Sequence, residues 1–184
     1  IGLDVGTTGA KAVVFDPDGT VLGAGFREYG IDCGEAAKAE QDADEVHRLA
    51  REALREAVAE SRIRAAAAIG LSVQGDAIIP VDADLRPVHP AILGMDYRSE
   101  PQARETERLF GARELFRLTG MRPHPMNSLC KLLWLRANRP DVYRASWKIT
   151  TYADFIIAKL TGEPVIDASM ASRTMALELE ARRW

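Results

Sequence analysis

At 184 residues the chain has room for one ordinary domain or two small ones. Apolar residues make up 47 % and charged residues 28 %, the balance of a globular protein whose core needs no staple. The 24 basic side chains against 27 acidic ones give a net charge of -3, which excludes nucleic-acid binding by global charge.

No apolar run reaches the roughly 18 residues of a membrane span, and the strand-like opening is not the pattern of a secretory leader. Cys33 and Cys130 lie far apart and are expected to be unpaired thiols of a cytoplasmic protein. No CxxC or HxxxH spacing offers structural zinc.

Ile1–Val5, Lys11–Phe15 and Val21–Arg27 read as three short strands, with a Pro/Gly turn at Asp16–Gly19. Their close spacing predicts antiparallel pairing, since a parallel return needs a crossover. The two glycines of the third run, Gly23 and Gly25, weaken it as a strand. From Ala43 the apolar positions Val46, Leu49, Ala50, Ala53, Leu54, Ala57 and Val58 recur at helical spacing, and Asp42 with Glu45 forms a capping-box pattern; the helix should run to about Ser61.

Ile69–Val73 is a strand ending in Gln74-Gly75-Asp76, with Ala77–Val81 as a candidate hairpin partner. Ser99, Pro101 and Gln102 open a second helix that ends near Gly111. Thr119–Asn127 is loop. Ser128 caps a helix to about Ala137, with Leu129, Leu132, Leu133 and Leu135 as core candidates. Pro140 begins a short helical turn, Trp147–Thr150 is a strand, and Tyr152–Leu160 is a helix closed by Gly162. The tail from Glu163 to Trp184 has no clear assignment. Three antiparallel strands, a helix, and then strands among helices make an α/β domain with a mixed sheet.

Asp4-Val5-Gly6-Thr7-Thr8-Gly9-Ala10-Lys11 is the most informative stretch. It is neither a Walker loop nor GxGxxG, because Ala12–Phe15 continues as strand. Gly6 and Gly9 permit positive φ and close backbone approach. A concavity of backbone N–H groups with the Thr7 and Thr8 hydroxyls suits phosphate oxygens. Lys11 adds positive charge, and Asp4 offers a carboxylate to Mg²⁺ or its waters. A plain hairpin turn with a solvated Asp and Lys would need fewer residues.

DxGTTxxK on a first hairpin resembles the phosphate-binding element of the actin-like ATPases, whose domains have an RNase H-like fold with helices on both sheet faces. Later segments narrow the resemblance to the FGGY family of carbohydrate kinases: Ile69–Asp76, Pro90–Ser99, Thr119-Gly120 with Lys131–Asn138, and Leu160–Glu163 with Asp167–Thr174. The resemblance implies ATP- and Mg²⁺-dependent phosphorylation of a sugar or polyol. It places Asp4 at the metal, Gly6, Thr7, Thr8 and Lys11 at the phosphates, and Gln74, Gly75, Asp76 and Asp96 at the substrate.

It also implies that residues 1–184 are most of the first domain of a longer chain, with the catalytic base and adenine pocket beyond Trp184, so that this part alone is inactive. The partner is a small molecule, not nucleic acid or membrane, with a homodimer as an admissible assembly. Glycerol kinases carry Arg-Glu and xylulose kinases Met-His where Gly75-Asp76 stands, and Gly94 replaces the family's usual Trp. These departures suggest a ketose such as xylulose, or a polyol larger than glycerol. A buried Asp76 would disfavour a sugar acid unless a cation neutralises it.

Asp96 and Arg98 read equally as an ion pair bracing a loop, Lys131 and Trp134 as packing, and Asp154 as a helix N-terminal acid. Asp167 either bonds within its loop or approaches the substrate. The alternative for the whole chain is a non-catalytic actin-like module that binds nucleotide or sugar.

Overall fold

The computed structural model of the protein describes residues 1–184. The elements are β1 (Gly2–Val5), β2 (Gly9–Phe15), β3 (Val21–Glu28), β4 (Glu40–Gln41), α1 (Ala43–Ser61), β5 (Gly70–Val73), β6 (Ile79–Val81) and β7 (Ala91–Ile92). They continue with α2 (Glu100–Phe110), α3 (Ala112–Thr119), α4 (Ser128–Asn138), α5 (Pro140–Ala145), β8 (Lys148–Thr150), α6 (Tyr152–Thr161) and α7 (Ala168–Arg173). The chain divides into two units: residues Ile1–Ile31 with Asp42–Gln74, and residues Asp32–Gln41 with Gly75–Trp184.

The first unit is a four-stranded sheet of order β3-β2-β1-β5. β1, β2 and β3 pair antiparallel as expected, and β5 joins β1 in parallel after the α1 crossover. Strand alternation sends Leu3, Val5, Ala10, Ala12 and Val14 inward. α1 covers that face with its buried stripe of Ala43, Val46, Ala50, Ala53 and Ala57. Asp42 caps it by accepting from the backbone N–H groups of Asp44 and Glu45.

The strand glycines do more here than weaken β3. A Cβ at Gly25 would lie 2.1 Å from the Ala53 carbonyl oxygen, and one at Gly23 would lie 2.4 Å from that of Ala57. Bare backbone on the strand and alanines on the helix let the two pack in direct contact. The opposite sheet face presents Asp4, Lys11, Phe15 and Phe26 to solvent.

In the second unit β4 pairs β7, and β6 pairs β8, Ile79 opposite Thr150. Ala77–Val81 is therefore not the hairpin partner of β5. Asp76, at φ +66°, turns the chain away from a hairpin, and Ile79–Val81 finds β8 instead. α2 packs on α3 and α4 around Ala103, Cys130 and Met175. Ile78, Ile92, Leu135 and Val142 form a second cluster.

α3 was absent from the sequence expectation; Gly111, at φ +78°, separates it from α2. α7 lies within the unassigned tail, capped by Asp167, which accepts from Ser169 and Met170 N–H. The N-cap of α4 is Asn127 rather than Ser128. Of the four leucines expected in its core, only Leu135 is fully buried. Thr151 and Asp154 close a reciprocal capping box on α6, the acid role read for Asp154. No helix is long and apolar enough to cross a membrane.

Candidate active site

In the first unit, the tip between β1 and β2 is Gly6-Thr7-Thr8, shorter than the sequence suggested because β2 begins at Gly9. The turn closes with the Gly6 N–H donating to the Gly9 carbonyl at 2.9 Å. Neither Gly6 nor Gly9 adopts a positive φ, so that expectation is corrected. Their need is steric. A Cβ at Gly9 would meet the Phe26 ring at 2.8 Å and the Arg27 carbonyl at 2.9 Å, and one at Gly6 would meet the Gly9 carbonyl at 3.3 Å.

Three donors brace this turn. The Tyr29 hydroxyl donates to the Gly6 carbonyl at 2.7 Å, Gln74 Nε2 donates to the same oxygen at 3.4 Å, and the Tyr29 N–H donates to the Thr8 carbonyl at 3.1 Å. Burial, with the Asp4 carboxylate adding to it, pushes the Tyr29 hydroxyl far up, so it stays a neutral donor. Tyr29 carried no motif signal; an aromatic just past the third strand was the only hint. Gln74, expected at the substrate, has its amide on the turn between β1 and β2.

Register sets the charges. Lys11, Asp4 and Ser72 are neighbours across β2, β1 and β5, with Asp4 opposite Lys11 and Ser72 opposite Asp4. All three are exposed and line a groove of about 390 Å³. Asp4 therefore faces an open concavity that runs toward Gly2, Val13 and Phe15, and Thr8 at the tip is exposed. These residues fit a nucleotide phosphate and its ion. Mg²⁺ commonly takes one or two carboxylates together with phosphate oxygens and water; Asp4 offers one exposed carboxylate, and Lys11 opposite it offers positive charge to the phosphates rather than to the ion. No group of three or more acidic, His or Cys side chains could hold a metal alone.

The second unit holds the other expected residues. Gly75, Asp76 and Gly94 are together: a Cβ at Gly94 would lie 3.4 Å from Asp76 Cβ and 3.5 Å from the Gly75 carbonyl. Arg173 Nη2 donates to Asp76 Oδ2 at 2.5 Å. A cation thus neutralises Asp76, and the ground for disfavouring a sugar acid is gone.

Asp96, two residues past Gly94, is 1 % exposed. Its Oδ2 accepts from the Ala39 N–H at 2.8 Å and from Arg98 Nε at 2.9 Å, and its Oδ1 accepts from the Arg98 N–H at 3.0 Å. Arg98 also donates to Glu40 at 2.6 Å and lies 4.4 Å from the Trp134 ring centroid. The bracing reading of Asp96 is the one this geometry supports. Asp167 is occupied as a cap.

The FGGY family of carbohydrate kinases, N-terminal domain, matches residues 1–184. The chain belongs to this family. A glycerol kinase of Thermococcus onnurineus (strain NA1) is 32 % identical over 190 residues, covering 100 % of this chain and 38 % of its own. A gluconokinase of Bacillus subtilis (strain 168) is 28 % identical over 184 residues, covering 100 % and 36 %. The ligand-bound xylulose kinase from Lactobacillus acidophilus superimposes with a TM-score of 0.91 at 29 % identity, covering 100 % of this chain and 37 % of that one. This FGGY chain thus spans less than two fifths of these relatives' length.

Proposed function

We propose that this FGGY chain is the N-terminal domain of an ATP- and Mg²⁺-dependent kinase that phosphorylates a hydroxyl of a ketose, or of a polyol larger than glycerol. The observation that carries the reading is the row Lys11–Asp4–Ser72 lining an open groove, on strands that the glycine-threonine turn joins. Phosphoryl transfer needs positioning and charge neutralisation more than covalent chemistry, and this row supplies both.

Asp4 would hold the ion, which neutralises charge on the phosphates. Thr7 and Thr8 offer hydroxyl donors to phosphate oxygens, and Lys11 offsets their negative charge. Tyr29 and Gln74 keep the turn in one conformation by occupying the Gly6 carbonyl. The general base and the adenine pocket belong to the part of the kinase beyond this chain. Gly75, Asp76 and Gly94 contribute to the sugar site. The relatives, kinases of glycerol, gluconate and xylulose, support a small polyhydroxylated substrate.

The test is ADP release by the full-length kinase with ATP, Mg²⁺ and a panel of ketoses, polyols and sugar acids. Asp4→Ala should lower kcat about 10²- to 10³-fold, with thermal unfolding unchanged because Asp4 is exposed. Unchanged turnover would remove Asp4 from the phosphate site. No ADP with any of the panel would favour a non-catalytic module.

A further inference from the structure

Several features converge on the ion pair between Asp76 and Arg173. Asp76 holds φ +66°, a left-handed backbone that a residue with a side chain adopts at a cost. A guanidinium and a carboxylate ordinarily meet through two parallel hydrogen bonds. Here one is made, Nη2 to Oδ2 at 2.5 Å, while Asp76 Oδ1 and Arg173 Nε are both buried without a partner.

Gly75 lets the guanidinium lie where it does, since a Cβ there would sit 2.7 Å from Arg173 Nε. The two side chains also differ in exposure: 5 % for Asp76 and 43 % for Arg173. Strained backbone and unpaired buried polar atoms are costly, and they collect where function requires them.

Of the carboxylate's two oxygens, one is taken by the guanidinium and the other is buried. A substrate meets the half-exposed guanidinium instead. We infer that Arg173 is the residue that touches the sugar, and that Asp76 is a positioning residue that holds the guanidinium against Gly75. This rests on the reading of Gly75 and Asp76 as part of the sugar site, and it deepens the substrate class. A guanidinium only donates hydrogen bonds. Hydroxyl, carbonyl and carboxylate oxygens all accept, and the charge-assisted bond to a carboxylate is the strongest, so Arg173 would hold an accepting oxygen of the sugar and gain most from a sugar acid.

The test is a double-mutant cycle in the full-length kinase, reading kcat and KM for xylulose, gluconate, xylitol and ATP. Arg173→Met keeps the aliphatic stem, and Asp76→Asn keeps a residue type that tolerates positive φ, so both should fold; thermal unfolding checks this. Arg173→Met should raise KM for gluconate at least tenfold, raise KM for xylulose and xylitol by a smaller but measurable factor, and leave KM for ATP within twofold. Asp76→Asn should raise the same sugar KM, yet add less than twofold in the Arg173→Met background. Arg173→Lys should recover part of the loss.

If Asp76→Asn acts as strongly in the Arg173→Met background as in the wild type, or if Arg173→Met leaves the sugar KM unmoved while Asp76→Asn raises it, Asp76 touches the sugar itself and the inference is wrong. If neither single variant moves a sugar KM, or both move that of ATP, the sugar-site reading fails and takes the inference with it.

Discussion

Lys131 has no exposed surface, and its ammonium donates to the carbonyl oxygens of Pro125, at 3.1 Å, and Met126. Burial pushes its pKa down to about 8, against the pull of the Asp76 and Asp96 carboxylates. The folded value lies below the ordinary 10.5, so between the two the folded state binds fewer protons than the unfolded chain. The stability linked to this group is present in full above pH 10.5 and is lost as pH falls through 8. Over that window it should rise with pH by up to roughly 3 kcal/mol. Urea unfolding from pH 7 to 10 should show this rise in the wild type relative to Lys131→Met; a constant difference between the two would contradict it. The sequence marked Lys131 as scaffold, but not its burial, because a leucine-rich helix does not reveal which side faces inward. Arg173 stands in the Asp167–Thr174 segment but was given no role, for a related reason. Its partner lies 97 residues away, and no local pattern announces a pairing at that distance.

α1 and β3 show how two elements constrain each other's composition. The helix was legible end to end from its apolar period and from Asp42. The strand glycines read as a weakness, because their purpose appears only when Ala53 and Ala57 are laid against them. Gly25→Ala should force the helix outward and cost about 2–3 kcal/mol, since overpacked cores lose stability on that order. The measurement is the urea midpoint of unfolding; an unshifted midpoint would show that α1 can yield freely. β1, β2, β5 and α6 came through close to their true bounds for the same reason as α1: alternation and capping are local. The partner of β6 did not, because strand pairing is decided by residues about 70 positions further on. β4 and β7 have two residues each and carry no periodic signal at all.

The residues proposed for phosphate in the first unit, Asp4, Gly6, Thr7, Thr8 and Lys11, fall in one contiguous stretch, the kind of pattern a sequence shows without coordinates. The residues proposed for sugar in the second unit, 75, 76, 94 and 173, all lie in motif segments, but the pairing of Arg173 with Asp76 has no local signal. Residues 1–184 alone are expected to release no ADP above background with ATP and any sugar of the panel, because the proposed base lies outside them. Measured turnover by this domain would place the base within it.

The polypeptide crosses between its two units three times, after Ile31, Gln41 and Gln74. The short β4 segment therefore leaves the ribosome long before β7, roughly fifty residues of synthesis and several seconds at ordinary elongation rates. Until then, Glu40 waits without the arginine that answers it, and the nascent chain carries an unclosed strand through the assembly of its first sheet.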